Sequence, residues 1–259
     1  MKAIILSAGQ GRRLLPLTAQ MPKCLIEVCG RTVLEWQLRA LADAAIKVVT
    51  VVVGFGADDV ESHIIDRAPT GMEVRALFNP LWNRADNLVS CLAARGEMNE
   101  DFLLINGDTL FAPDVVTRLR AGRGNPVRLA VATKALYDSD DMKVICDAGR
   151  VTRIGKDLPT GQVGGEAIGM SLFRGAGPRL LSDALQEVAG EPEAHRRWYL
   201  SAVDRLARRG LVHAESVDDL GWVEIDYPHD LAPAFALASR WDGASDPTAT
   251  VPEADAVTT

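Results

Sequence analysis

In residues 3–25, A-I-I-L-S-A-G-Q-G-R-R-L-L-P-L-T-A-Q-M-P-K-C-L, an apolar run ending at Leu6 leads into Ser7-Ala8-Gly9-Gln10-Gly11, followed by two arginines and a lysine. Glycine lets a backbone approach a ligand closely, so the N–H groups of Ala8, Gly9, Gln10 and Gly11 can turn inward around an anion. Arg12, Arg13 and Lys23 put full positive charge on the same loop, and no carboxylate precedes Glu27. A basic, glycine-lined loop at the end of a first strand suits a polyphosphate, with Arg13 and Lys23 neutralising its charge and Arg12 at the rim. Two common phosphate loops do not fit. No G-K-[ST] is present, and Leu14 stands where G-x-G-x-x-G needs its third glycine.

Carboxylates that could hold a divalent ion come much later in the chain. Asp108, in I-N-G-D-T-L-F, lies just past an expected strand, where open α/β sheets place their ligands. Asp226, in G-W-V-E-I-D-Y-P-H-D-L, is the second candidate, with Glu224 as an alternative ligand. Hard divalent ions prefer such oxygens together with phosphate. Taken singly, each aspartate reads equally well as a turn or helix-cap residue.

The elements that must position these groups alternate between strand and helix in the first half. Strands are expected at 3–6, 47–53, 73–78 and 101–105, and helices at 33–45, 57–67, 87–95 and 113–120. Asp86 is a plausible N-cap, and Pro113 suits a first helical turn. From about residue 126 the pattern changes to strands at 127–133, 142–146, 151–154 and 166–173, with a hairpin turn at 147–150. Helices at 177–188 and 197–209, strands at 211–217 and 222–225, and a last helix at 228–240 complete the expectation. The fold class is α/β: a Rossmann-like open, mostly parallel mixed sheet flanked by helices.

Composition bounds the function. The chain has 259 residues, 47% hydrophobic and 24% charged, which is enough for a sizeable core. A net charge of −7 argues against general nucleic-acid binding. No apolar run approaches the ~20 residues of a membrane span, and the N-terminal one is too short for a signal peptide. Cys24, Cys29, Cys91 and Cys146 lack zinc or C-x-x-C spacing, so a reduced, cytoplasmic protein is expected.

The pattern L-S-A-G-x-G-x-R-L-x-P-L-T-x-x-x-P-K-x-L resembles the signature loop of the nucleoside-diphosphate-sugar pyrophosphorylase superfamily of nucleotidyltransferases, and the resemblance runs from residue 1 to about 240. It implies condensation of a nucleoside triphosphate with a phosphorylated small molecule, releasing pyrophosphate, with Leu6 and the residues from Ala8 to Arg12 binding the nucleotide. It also implies Mg²⁺ held by Asp108 and Asp226, matching the family's aspartate pair. Lys156, in R-I-G-K-D-L, matches the family's lysine for the acceptor's phosphate, and Lys143 is a second phosphate-binding candidate. Its neighbours Asp138, Asp140 and Asp141 read as a solvated turn. Glu166 is a candidate to face an acceptor amine or hydroxyl. The corresponding domain would span 1–240, with a nucleotide-binding half at 1–125, an acceptor-binding half at 126–240 and a disordered tail at 241–259.

Within the superfamily, the stretch from Phe78 to Ala94 lacks the usual glycine-rich P-x-G-L-A-x-A. It resembles instead the N-x-x-x-x-x-x-N-N-x-x-S of bacterial phosphocholine cytidylyltransferases and their phosphonate-processing relatives. Asn79, Asn87 and Ser90 fit that pattern as nucleotide-binding residues, while Asp86 replaces the first asparagine of the pair. G-R-V-T-R-I-G-K-D-L is similar to the cytidylyltransferase that activates inositol-1-phosphate. These short stretches imply CTP and a phosphocholine, aminoalkyl phosphonate or polyol phosphate acceptor. Tyr137, Trp198, Tyr199 and Trp222 are candidates to cage a quaternary ammonium. A sugar-1-phosphate uridylyl-, guanylyl- or thymidylyltransferase, a glycosyltransferase and a non-catalytic nucleotide-sensing module remain open. A homodimer is compatible with the sequence, exposed tryptophans being the residues that would mark its interface.

Overall fold

A computed structural model describes residues 1–122 and 124–241, so the expected tail lies outside the described residues except for Trp241, which ends a helix. Strand β1 (Lys2–Ser7) is followed by short 3-10 turns at Arg12–Leu14 and Lys23–Leu25. A small hairpin, β2 (Glu27–Val28) and β3 (Arg31–Thr32), leads into α1 (Val33–Asp43), β4 (Val48–Val53), α2 (Ala57–Arg67) and β5 (Glu73–Phe78). Then come α3 (Asn87–Ala93), β6 (Phe102–Asn106), β7 (Thr109–Phe111) and α4 (Pro113–Ala121). The second half holds β8 (Val127–Ala132), β9 (Lys143–Asp147), β10 (Arg150–Gly155), β11 (Gly165–Phe173), α5 (Gly177–Ala189) and α6 (Leu200–Arg208). It closes with β12 (Val212–Ser216), β13 (Trp222–Glu224) and α7 (Leu231–Trp241).

Nine strands form one mixed sheet in the order β5-β4-β1-β6-β11-β8-β12-β10-β9. The half from β5 to β6 is parallel, and β11 joins antiparallel to both β6 and β8. The α/β class and the flanking helices are thus as the sequence indicates. Alternation along β1 explains why both faces are covered: Ile4 and Leu6 join a core with Leu88, Leu181 and Leu206 from α3, α5 and α6. Ala3 and Ile5 point the other way, toward Leu38, Val60 and Val115 of α1, α2 and α4. Each large aliphatic side chain fully buried this way contributes about 1.5–3 kcal/mol. A third cluster matters most for the site. Leu14, Ile26, Trp36, Leu110, Ile225 and Ala234 pack together, tying the first loop to β7, β13 and α7.

Several local expectations change. The helix expected over 87–95 stops at Ala93 and tightens into a 3-10 turn at Ala94–Glu97. Asp86 sits at its N-cap position but makes no side-chain cap bond. The helix expected from 197 begins only at Leu200, because the preceding segment is engaged elsewhere: His195 and Arg197 carbonyls accept from Asp86 N (2.7 Å) and Leu88 N (3.2 Å) at the start of α3. Both small two-stranded pairings, β2–β3 and β7–β13, were absent from the sequence expectation, and the second of them positions an aspartate. Among the described residues no helix is long and apolar enough to cross a membrane.

Candidate active site

Strands β1 and β6 are parallel neighbours with Leu6 opposite Asn106, so the glycine loop and the Asn106-Gly107-Asp108 turn emerge side by side. Gly107 N donates to Leu6 O at 3.0 Å, and a Cβ on Gly107 would overlap Ser7, so only glycine permits this approach. Asp226 arrives through β13, which pairs antiparallel with β7, Glu224 opposite Thr109, and Ile225 N donates to Asp108 O at 3.0 Å. Two aspartates far apart in sequence thereby reach one point.

Lys23 lies at that point. Its Nζ is 2.8 Å from Asp108 Oδ2 and 2.5 Å from Asp226 Oδ1. Burial works against the ammonium, but Asp108 and then Asp226 outweigh it, so Lys23 is held charged above its ordinary range. Gly11, at φ 76°, lies against the Lys23 stem, where a Cβ would come within 3.0 Å of it. Gly11 therefore shapes the lysine's path, and it does not line the cleft beside the loop. Arg13 completes the group through Nη1 to Asp226 Oδ2 at 3.0 Å.

A residue that the sequence did not flag supports Asp108. Gln37 on α1 is fully buried, and its Nε2 donates to Asn106 O (2.7 Å) and Thr109 O (2.8 Å), the carbonyls on either side of the aspartate. The Thr32–Glu35 capping box starts α1 one turn earlier and sets its registry. Gln37→Leu is expected to cost about 1–3 kcal/mol by stranding two buried carbonyls. It should also weaken divalent-ion binding, measured by calorimetry below the melting temperature. Unchanged ion affinity would reduce Gln37 to a packing role.

One cleft, of about 540 Å³, is lined by Leu6, Ala8, Gly9, Gln10 and Arg12 on one side and by Asn87 and Ser90 on the other. Seven of the residues expected to hold a nucleotide are therefore together. Asn79 is not among them: it is buried, donating from Nδ2 to Ser90 Oγ (3.0 Å) and accepting from Leu81 N (3.0 Å). Its effect is indirect, since a Ser90 oxygen that accepts from Asn79 keeps its own proton for the cleft. Asn87 Oδ1 accepts from Tyr199 N at 2.9 Å, leaving its amide donors. Trp82, Arg84, His195 and Arg196 also line this cleft and were not anticipated. Arg12, Arg84 and Arg196 make it basic.

A second cleft, of about 760 Å³, adjoins the first across Asn87 and Trp198. It contains Arg13, Asp108, Asp226, Lys156 and Glu166. Lys156 Nζ lies 4.3 Å from the Trp198 ring centroid and 3.1 Å from Asp140 Oδ1. Glu166 pairs with Lys134 at 2.8 Å, and Lys134 in turn with Asp141 at 2.5 Å. Burial raises Glu166 above the usual carboxylate range. Lys143 is a correction: it is buried beneath the cleft, its ammonium bound to the carbonyls of Asp138 and, at 2.7 Å, Lys156. It holds the Lys156 turn in place. The aromatic cage does not assemble either, because Tyr199 is fully buried and Tyr137 does not line the cleft. Trp198 and Trp222 are there, joined by Tyr227. The exposed tryptophan, Trp198, thus faces the two clefts.

The donor set fits a hard divalent ion. Two carboxylates converge within hydrogen-bond reach of one ammonium, and among the described residues no cluster of three or more metal-binding side chains forms. An ion held by Asp108 and Asp226 would keep positions for phosphate and water, as magnesium does. Glu224, the alternative ligand, is pushed up to about 8 by burial, then by Asp108 and Asp226. At neutral pH it stays largely protonated unless further positive charge arrives.

Known proteins resemble this chain in sequence and in fold. The bifunctional IPC transferase and DIPP synthase of Rubrobacter xylanophilus is 31% identical over 247 residues, 92% of this chain and 52% of that protein. The CMP-5'-(3-aminopropyl)phosphonate synthase of Streptomyces rubellomurinus is 29% identical over 240 residues, 88% of this chain and 37% of that protein. The chain thus spans about half the length, or less, of these curated relatives. The inositol-1-phosphate CTP transferase from T. maritima shares the fold, with a TM-score of 0.78 at 21% identity over 92% of this chain and 95% of that one. Residues 3–211 match the MobA-like NTP transferase domain, and the chain belongs to that family.

Proposed function

We propose that this chain is a nucleotidyltransferase that moves a nucleoside monophosphate, CMP by preference, from the triphosphate to a small phosphorylated or phosphonylated acceptor. An acceptor oxygen attacks the α-phosphorus, the bond to the bridging oxygen breaks, and pyrophosphate leaves. The observation that carries this reading is the meeting of Lys23, Arg13, Asp108 and Asp226 beside the second cleft, which adjoins the basic one. Such transfer asks little covalent chemistry of a protein, so placement and charge supply most of the acceleration.

Backbone N–H groups of Ala8, Gly9 and Gln10 hold the triphosphate, Gly11 sets the path of Lys23, and Arg12 guards the rim. Arg13 and Lys23 neutralise charge that grows on the leaving pyrophosphate. Asn87 and Ser90 face the nucleoside, Ser90 with its proton directed by Asn79. Lys156 orients the acceptor's anionic group, and Glu166 with Lys134 meets its far end. Mg²⁺ on Asp108 and Asp226 would add positive charge at the α-phosphate and organise the phosphate oxygens. The preference for CTP draws on relatives whose names specify CMP or CTP chemistry. Uridylyltransferases among the relatives keep UTP as the second reading. The four free cysteines suit a reduced, cytoplasmic setting.

A pyrophosphate-release screen of four nucleoside triphosphates against choline phosphate, aminoalkyl phosphonates, polyol phosphates and sugar phosphates tests the reading. CTP is expected to support release at least ~10-fold faster than the others, a margin within reach of base-specific hydrogen bonds. Faster release with UTP would transfer the chain to the second reading. No Mg²⁺-dependent release with any pair would make it a nucleotide-sensing module.

A further inference from the structure

The acidic turn Asp138–Asp141 reads from sequence as solvent-facing, yet Asp140 lines the second cleft. Its Oδ1 accepts from Arg13 Nη2 at 3.2 Å and from Lys156 Nζ at 3.1 Å, while Oδ2 accepts from Tyr227 OH at 2.5 Å. Arg13 belongs to the phosphate loop and Lys156 to the acceptor side, and both line the second cleft, so one carboxylate oxygen bridges the two cations that an anion entering that cleft meets. Backbone contacts hold the turn in this posture: Asp138 Oδ1 takes Asp140 N at 2.7 Å and Asp141 N at 3.1 Å. Lys143 ties Asp138 from below.

We propose that Asp140 is a built-in competitor that sets the affinity threshold of the second cleft, because an incoming anionic group must displace it from Arg13 and Lys156. The inference rests on the second cleft being the acceptor site. A carboxylate offers one charge and two oxygens, whereas a phosphate or phosphonate dianion offers twice the charge and three oxygens. The displacement cost is the same for every anion, so it leaves affinity ratios unchanged and acts as a threshold on absolute affinity. Dianions clear it and single carboxylates do not, which keeps abundant organic acids out of the cleft. Tyr227 helps by anchoring the far oxygen of Asp140, and its ring also lies 5.2 Å from the Arg13 guanidinium carbon.

The test is calorimetric binding of inorganic phosphate and of acetate at pH 8 to the wild-type chain, Asp140→Asn and Tyr227→Phe. No nucleotide or turnover is needed, so its result is independent of the pyrophosphate-release screen. Asp140→Asn should bind both anions roughly ten-fold more tightly, the combined effect of three part-exposed ties of ordinary strength. Tyr227→Phe should move both in the same direction by a smaller factor, about two- to three-fold. Melting temperatures near wild type would establish that both variants fold. Phosphate bound equally or more weakly by Asp140→Asn would overturn the proposal. So would a gain confined to phosphate, which signifies repulsion of the second charge rather than competition for shared cations.

Discussion

Replacing Lys23 with Met is expected to lower kcat/KM by about 10³-fold with whichever triphosphate and acceptor the screen identifies, the range seen when one charged stabiliser of a transition state is lost. Methionine keeps much of the stem that packs on Gly11, so the loss falls on the ammonium rather than on the loop's shape. In wild type that ammonium sits 2.8 Å and 2.5 Å from Asp108 and Asp226. Without it, Asp108 and Asp226 lose the cation between them, and Asp226 keeps only Arg13. The variant should therefore melt earlier than wild type in EDTA and recover more of that difference when Mg²⁺ is added, since the ion restores the missing charge. Parallel thermal scans with and without Mg²⁺, beside kinetics, separate the possibilities. Equal loss of activity and stability, with no differential response to the ion, would assign Lys23 a structural role alone.

Asp226→Asn should be nearly as damaging, lowering turnover by about 10³-fold and flattening its dependence on Mg²⁺. Asparagine preserves size and removes charge. Asp226 binds Lys23 with one oxygen and Arg13 with the other, so its loss takes a partner from two cations at once, whereas Asp108 pairs with Lys23 and not with Arg13. Asp108→Asn should accordingly weaken the ion requirement to a similar degree but leave Arg13 in place. A Mg²⁺ titration of turnover, together with Mn²⁺ binding read by paramagnetic resonance, distinguishes a lost ligand from a misplaced one. A titration unchanged from wild type would remove the substituted residue from the metal pair.

What could be read in the chain itself was whatever depends on short-range pattern. The apolar run before Ser7, the glycines at 9 and 11 and the basic residues within the next dozen positions form a loop through local backbone freedom and local charge. The β-branched stretch at 48–53 announces a buried parallel strand through its composition, and β4 lies there inside the sheet. Asp108 was legible because it follows a strand end, and Asp226 through the motif that the chain shares with its superfamily.

Tertiary structure decided which polar side chains reach the clefts. Asn79 and Lys143 have suitable chemistry, but strand ends and register turn them into the protein, where one directs Ser90 and the other holds the Lys156 turn. Gln37 gave no signal in its helix, because the carbonyls it binds belong to a turn some seventy residues later. Asp140 looked like one charge in a solvated run, and only the fold sets it between Arg13, Lys156 and Tyr227. The physical reason is the same in each case. Hydrophobic periodicity and turn chemistry are written in neighbouring residues, whereas hydrogen bonds and charge pairing depend on distance in space, which exists only once the sheet has brought remote segments together.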